Sequence, residues 1–164
     1  MSALAGGAVE PVRVGPLSRV QAFGIRGVRV AGWVVIGAAC AQIVTAGFGL
    51  FALDRLPIAD ASSLDPHRML GYASEIVGVL LVVLLIVGRP ARGAVVAGLG
   101  LFAAMLVQPV LQRYGEMVPL LGALHAANAL LMIALAWLVV RSTTNQLRTA
   151  PAHDAPRQDV GAGR

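Results

Sequence analysis

The sequence predicts an all-α membrane protein, an antiparallel bundle of four transmembrane helices with both termini cytoplasmic. Three observations carry this. The 164-residue chain is 57% hydrophobic and only 13% charged, against roughly 45–50% and about 25% in ordinary soluble domains. Its apolar residues gather into four runs of the roughly 20 residues needed to cross a hydrocarbon core of about 30 Å. Its thirteen basic residues are all arginines and lie at the ends of those runs. So much aliphatic surface exceeds what a compact soluble fold could cover, which excludes a water-soluble domain. The net charge of +5 belongs to the bilayer rather than to nucleic acid, which is not expected as a partner. The lone Cys40 excludes an internal disulfide framework and a thiolate metal cluster.

The first run, Val30 to Leu53, has no charge and lies between Arg29 and Asp54. The second, Met69 to Gly88, carries only Glu75 and stops at Arg89-Pro90. The third, Gly93 to Gln112, lies between Arg92 and Arg113, and the fourth, Met117 to Val140, between Glu116 and Arg141. Charges and prolines mark the ends of each. Helices are thus expected over about 30–53, 66–88, 93–112 and 117–140, within a membrane domain of residues 29–141. With the amino terminus inside, ten arginines (positions 13, 19, 26, 29, 89, 92, 141, 148, 157 and 164) fall on one side. Only Arg55, Arg68 and Arg113 fall on the other. That asymmetry places both termini in the cytoplasm of a multi-pass inner (plasma) membrane protein, with Trp33 and Trp137 at the inner interface.

Residues 1–28 lack the apolar core and cleavage site of a secretory signal. They read as a basic cytoplasmic segment in which Leu17 to Val28 can form an interfacial helix anchored to anionic lipid. Residues 142–164, rich in Ser, Thr, Pro and Gly, read as a disordered cytoplasmic tail in which His153 has no role.

Lipid gives helices no hydrophobic reason to pair, so small and polar residues mark the contact faces. On the first helix these are Gly37, Ala41, Thr45 and Gly49, with Gln42 beside them. On the third they are Gly100, Ala104, Gln108 and Gln112, and on the fourth Gly122, His125, Ala126, Asn128 and Ala129. The second helix, with Asp65 as cap and Pro66 in its first turn, places His67, Gly71, Ser74, Glu75 and Gly78 on one stripe. Such a stripe is costly against lipid and must face the bundle. At about 1.5 Å per residue, His67 lies near the outer surface, His125 roughly 9 Å deeper and Glu75 roughly 13 Å deeper. The inner half is almost purely aliphatic, so any site opens outward.

Two imidazoles from facing helices are a standard way to hold haem b. His67 and His125 are the candidate axial ligands, with Gly71 leaving room for a flat macrocycle, Glu75 behind the ligands, and Arg68 or Arg113 pairing a propionate. The blander reading makes each histidine a hydrogen-bonding partner within the bundle. His67, His125 and Glu75 could bind a non-haem metal only if all three reach one depth. Glu75 could relay protons, bind a cation, or tie to His125, Gln108 or Gln42 as structural glue. No nucleophile is paired with a base, and no phosphate-binding loop is present.

The run from Gln42 through Val140 resembles an uncharacterised bacterial family of small four-helix membrane proteins. The resemblance rests on Ala46-Gly47-Phe48-Gly49-Leu50-Phe51, His67 with Gly71, Gln108, and Leu124-His125-Ala126-Ala127-Asn128-Ala129. It implies the fold and no established activity. The chain is also similar, more weakly, to one four-helix half of the haem A synthases, which carry haem-ligating histidines on the second and fourth helices of a half. His67-Arg68 matches their His-Arg pair, but one half is missing and Leu64 stands where they have a glutamate. That likeness implies haem binding without synthase catalysis. The expected function is a haem-b electron-transfer protein working with quinone. Its rivals are a non-catalytic subunit packing on a partner membrane protein, or a small proton-coupled transporter using Glu75, which would need a homo-oligomer for alternating access.

Overall fold

A computed structural model describes residues 16–52, 64–115 and 117–150. The expectations for Asp54, Arg55, Glu116, His153 and the two chain ends beyond those limits lie outside the described residues. Among them the chain forms four α-helices: α1 Arg19–Ala52, α2 Asp65–Gly88, α3 Arg92–Gly115 and α4 Pro119–Thr149. All four are long and apolar enough to cross a membrane.

The helices form a ring in which the backbone of α1 lies against α2 and α4, and that of α3 against α2 and α4, with no diagonal pair of backbones close. Every neighbour is antiparallel. The start of α1 meets the end of α2 at Gly24 and Gly88, and the end of α4 at Gly32 with Ala136 and Val140. The start of α3 meets the end of α2 at Gly98 and Leu85, and its end meets the start of α4 at Gly115 and Gly122. The first and last helical residues therefore share one end of the bundle.

That end is aliphatic. Val28, Val35, Leu81, Leu85, Leu101, Ala136 and Val139 interlock in one buried cluster, and Trp33 meets Trp137 edge to face at 5.8 Å. The tightest point joins α1 to α2, where a methyl added at Gly24 would lie 2.5 Å from the Cα of Gly88. Backbones packed this closely gain dispersion contact that larger residues would forbid. Arg89 then leaves α2 in the left-handed conformation, φ 45°, because the following Pro90 disfavours a further helical residue.

Four expectations need correction. The segment from Leu17 to Val28 is no separate interfacial helix: α1 runs on from Arg19, with Ile25 and Val28 fully buried. Arg26 sits on the outward face, so its charge interrupts the apolar run without interrupting the helix. On α1, Gly37 and Ala41 point away from the bundle, and the contact face is Ile25, Val28, Gly32, Val35 and Ala39. A strict four-residue repeat drifts around a helix of 3.6 residues per turn, whereas mixed steps of three and four hold one face. Asp65 does not cap α2. It lies in the first turn, Leu64 is the cap residue, and the carboxylate instead meets Arg68 at 3.4 Å.

The fourth correction concerns the tail, which does not begin at Ser142. α4 continues to Thr149, with Thr143 fully buried and its hydroxyl donating to Val139 O at 2.7 Å. Gln146 Oε1 accepts from the backbone N–H of Ala91 at 2.8 Å, joining α4 to the α2–α3 turn.

The glycine contacts predict a graded outcome. Gly24→Ala and Gly88→Ala should each destabilise the bundle by about 1–3 kcal/mol through overpacking. Gly37→Ala, with open space around the new methyl, should be neutral or stabilising by up to about 1 kcal/mol. Unfolding of the purified protein in a denaturing detergent would rank the three.

Candidate functional site

The other end of the bundle carries the polar side chains, arranged as two sets of ties, one in each hairpin. In the α1–α2 hairpin, the Gln42 amide donates to Ser74 Oγ at 3.2 Å, and Ser74 passes its own proton to Leu70 O at 2.8 Å. His67 Nδ1 lies 3.0 Å from the backbone carbonyl of the same Gln42. In the α3–α4 hairpin, His125 Nδ1 lies 3.2 Å from the backbone carbonyl of Gln108. Asn128 donates to Gln108 Oε1 at 2.6 Å and to Ala104 O at 2.8 Å, while the Gln108 amide donates to His125 O at 3.1 Å. Each hairpin thus seats a histidine on the carbonyl of a glutamine in its partner helix.

These bonds orient the imidazoles. A carbonyl oxygen only accepts, so Nδ1 must carry the proton in each contact, and in the neutral ring Nε2 keeps its lone pair. The amide nitrogen of Gln108, 3.4 Å from His125 Nε2, suits that tautomer. His67 and His125 come from diagonal helices and meet in the middle, with ring centres 6.1 Å apart and planes inclined by 63°. The depth offset expected from residue counting does not keep them apart.

Two cavities flank the pair. A small one of about 70 Å³ reaches it between α2 and α3, lined by Gly71, Ser74, Glu75, Met105 and Pro109 among others. A larger, mostly apolar one of about 530 Å³ lies on the α1–α4 side, lined by Val35, Ala39, Gly47, Ala126, Ala129 and Met132 beside both histidines. Arg68 borders both. Nothing lies within 4 Å of where a Cβ would stand on Gly47 or Gly71, so both glycines leave room.

Of the expected site residues, the fold brings His67, His125, Gly71 and Arg68 together. Glu75 lines the small cavity but bonds to neither histidine, nor to Gln108 or Gln42; Ser74, one residue earlier, makes the tie to α1. Among the described residues no three His, Cys, Asp or Glu side chains converge, so the three-ligand metal set does not form. Met105, Met132 and Pro109 escaped sequence reasoning. Methionines inside apolar runs carry no periodic signal of their own. Pro109, however, directly after Gln108, was a readable sign of irregular backbone in α3, since it cannot donate to the carbonyl of Met105.

Residues 42–114, just under half of the chain, match a family of unknown function (DUF6220). This agrees with the resemblance to an uncharacterised four-helix membrane family. The match spans the end of α1, all of α2 and nearly all of α3, including Gln42, His67, Ser74, Glu75 and Gln108; His125 lies beyond it. No curated protein and no solved structure matches the chain, so the likeness to half a haem A synthase gains no support.

Loss of an interhelical donor should be measurable here. Asn128→Leu strips the donor from Gln108 Oε1 and Ala104 O and should cost about 1 kcal/mol. Thr45→Val should stay within about 0.5 kcal/mol, because the Thr45 hydroxyl bonds only carbonyls of its own helix, Ala41 and Gln42. Detergent-denaturation midpoints of the two variants test the contrast.

Proposed function

For a chain with that family match, we propose a small multi-pass membrane protein that holds haem b between His67 and His125 and transfers electrons near one face of the bilayer. The observation that carries this reading is the histidine pair. Two metal–nitrogen bonds of about 2 Å, with about 1.1 Å from each nitrogen to its ring centre, separate the ring centres of a bis-imidazole site by about 6 Å. The separation here is 6.1 Å. Anchoring Nδ1 to a carbonyl is also how ligating imidazoles are commonly held with Nε2 presented to a metal.

Bound haem would supply one-electron chemistry at its iron; the chain's own residues define where it sits. His67 and His125, from diagonal helices and with Nδ1 on a carbonyl, would be the ligands through Nε2; Gly47 and Gly71 would leave space beside it, and Ala126, Ala129 and Met132 would form apolar wall. Arg68 stands at the rim, where it can meet a propionate. The Gln108 amide, 3.4 Å from His125 Nε2, would have to move aside for the iron. Quinone is the proposed electron partner, reaching the site through the bilayer. The arginine asymmetry supports an inner-membrane setting with both termini cytoplasmic and the histidines toward the outer face.

One observation favours a second reading, a non-catalytic scaffold or accessory subunit: both histidines already have carbonyl partners inside the bundle. On that reading they are interhelical ties and nothing more.

Absorption separates the two. Protein purified from haem-replete cells should show a Soret band and split visible bands on reduction, and His67→Ala and His125→Ala should each abolish them. A colourless, folded wild type would overturn haem binding and leave the scaffold. For topology, a carboxy-terminal green fluorescent protein fusion should fluoresce and an alkaline phosphatase fusion at the same point should be inactive; the opposite pattern would reverse the orientation.

A further inference from the structure

Glu75 lines the small cavity beside the histidines but bonds to neither of them. It stands near the middle of the 24-residue α2, half-buried, and forms no hydrogen bond or ion pair with any described residue. A carboxylate at that depth of an apolar span is costly and calls for a counter-charge.

Its surroundings say what kind. Glu75 opens into a second groove of about 290 Å³ on the α2–α3 side, walled by Tyr72, Ile76, Phe102, Met105 and Leu106. The α2–α3 interface is the loosest of the four, and Tyr72, Ile76 and Leu106 are exposed on the outside of the bundle. Beyond Glu75 the groove closes where α2 and α3 touch, since a methyl at Gly78 would lie 3.1 Å from Met105 Sδ and 3.3 Å from the Phe102 ring. The result is one carboxylate at the floor of a pocket with two aromatic walls and a thioether, open sideways.

A hydrated metal ion fits this poorly, because one carboxylate and a phenol cannot replace its oxygen shell. A neutral apolar molecule would leave the carboxylate unpaired. An organic cation with an apolar body meets every feature: its charge pairs with Glu75, aromatic faces and sulfur favour it, and it can arrive through the bilayer. We propose that the α2–α3 groove is a binding site for lipophilic organic cations, with Glu75 as the counter-ion and Tyr72 and Phe102 as the walls. The groove shares Tyr72, Glu75 and Met105 with the small cavity beside the histidines, but the cation reading does not depend on haem.

The test uses tetraphenylphosphonium and the full-length protein in phosphatidylcholine nanodiscs, with binding followed by equilibrium dialysis. Wild type should bind the cation saturably, one per chain, and should not bind triphenylphosphine oxide, its uncharged relative, in that way. Glu75→Gln should weaken binding at least about tenfold, Phe102→Ala should weaken it severalfold, and Glu75→Asp should retain it. His67→Ala should leave binding intact whatever its effect on haem. A measurement free of variants is protection: the lipid-soluble reagent dicyclohexylcarbodiimide should modify Glu75 in wild type, and the cation should slow that reaction where the phosphine oxide does not. Absence of saturable binding, equal binding by a folded Glu75→Gln protein, or equal protection by the uncharged compound would each overturn the proposal.

Discussion

Hydrocarbon supplies no hydrogen bonds, and that constraint arranges the polar end of this bundle. Gln42, His67, Ser74, Gln108, His125 and Asn128 would each be expensive against lipid, so each is matched to a donor or acceptor on a neighbouring helix. The same constraint is silent about the aliphatic end, where Gly24 and Gly88 let two backbones touch and Val28, Leu81, Leu101 and Val139 fill the centre. One end is held by directional bonds, the other by close packing.

The polar ties repeat. In each hairpin a glutamine of the first helix offers its backbone carbonyl to a histidine of the second: Gln42 to His67, and Gln108 to His125. In each, the glutamine side chain also engages a small polar residue further along the second helix, Ser74 or Asn128. The two hairpins approximate copies of one arrangement, and the histidine rings meet between them. Sequence inspection finds no such repeat, because the glutamine–histidine distances along the chain differ, 25 residues in one hairpin and 17 in the other. The equivalence lies in the contacts.

Much of the fold could be read before any coordinates. Four apolar runs bounded by arginine and proline gave four helices, and the stripe from His67 to Gly78 was assigned to the correct side of α2. The reading failed where hydropathy and helicity part. Arg29 bounded the first apolar run, but α1 runs on past it to Arg19, and Arg26 on the outer face leaves Ile25 and Val28 free to pack. Thr143 and Gln146 look like the start of a solvated tail, but a hydroxyl returned to its own backbone and an amide placed over Ala91 keep them in α4. On α1, Thr45 was assigned to a contact face, but its hydroxyl bonds only carbonyls of its own helix. The histidine pair was foreseeable from residue type and from the two helices that carry it, against a depth offset that residue counting set between them. The absence of Glu75 from it was not, since Ser74 and Glu75 occupy nearly the same face and only side-chain geometry decides which one reaches α1.

The bonds made by Gln42, His67, Ser74, Gln108, His125 and Asn128 all stay within one hairpin or the other. Toward that end, the two histidine rings meet edge to face across the centre, 6.1 Å between ring centres. The aliphatic cluster then acts as a fulcrum, and the polar ends of the hairpins resemble the jaws of a clip. Whatever lodges between the rings would set the gap between the jaws, so an occupant only a few ångströms across would alter the outline that the protein presents to its neighbours in the bilayer.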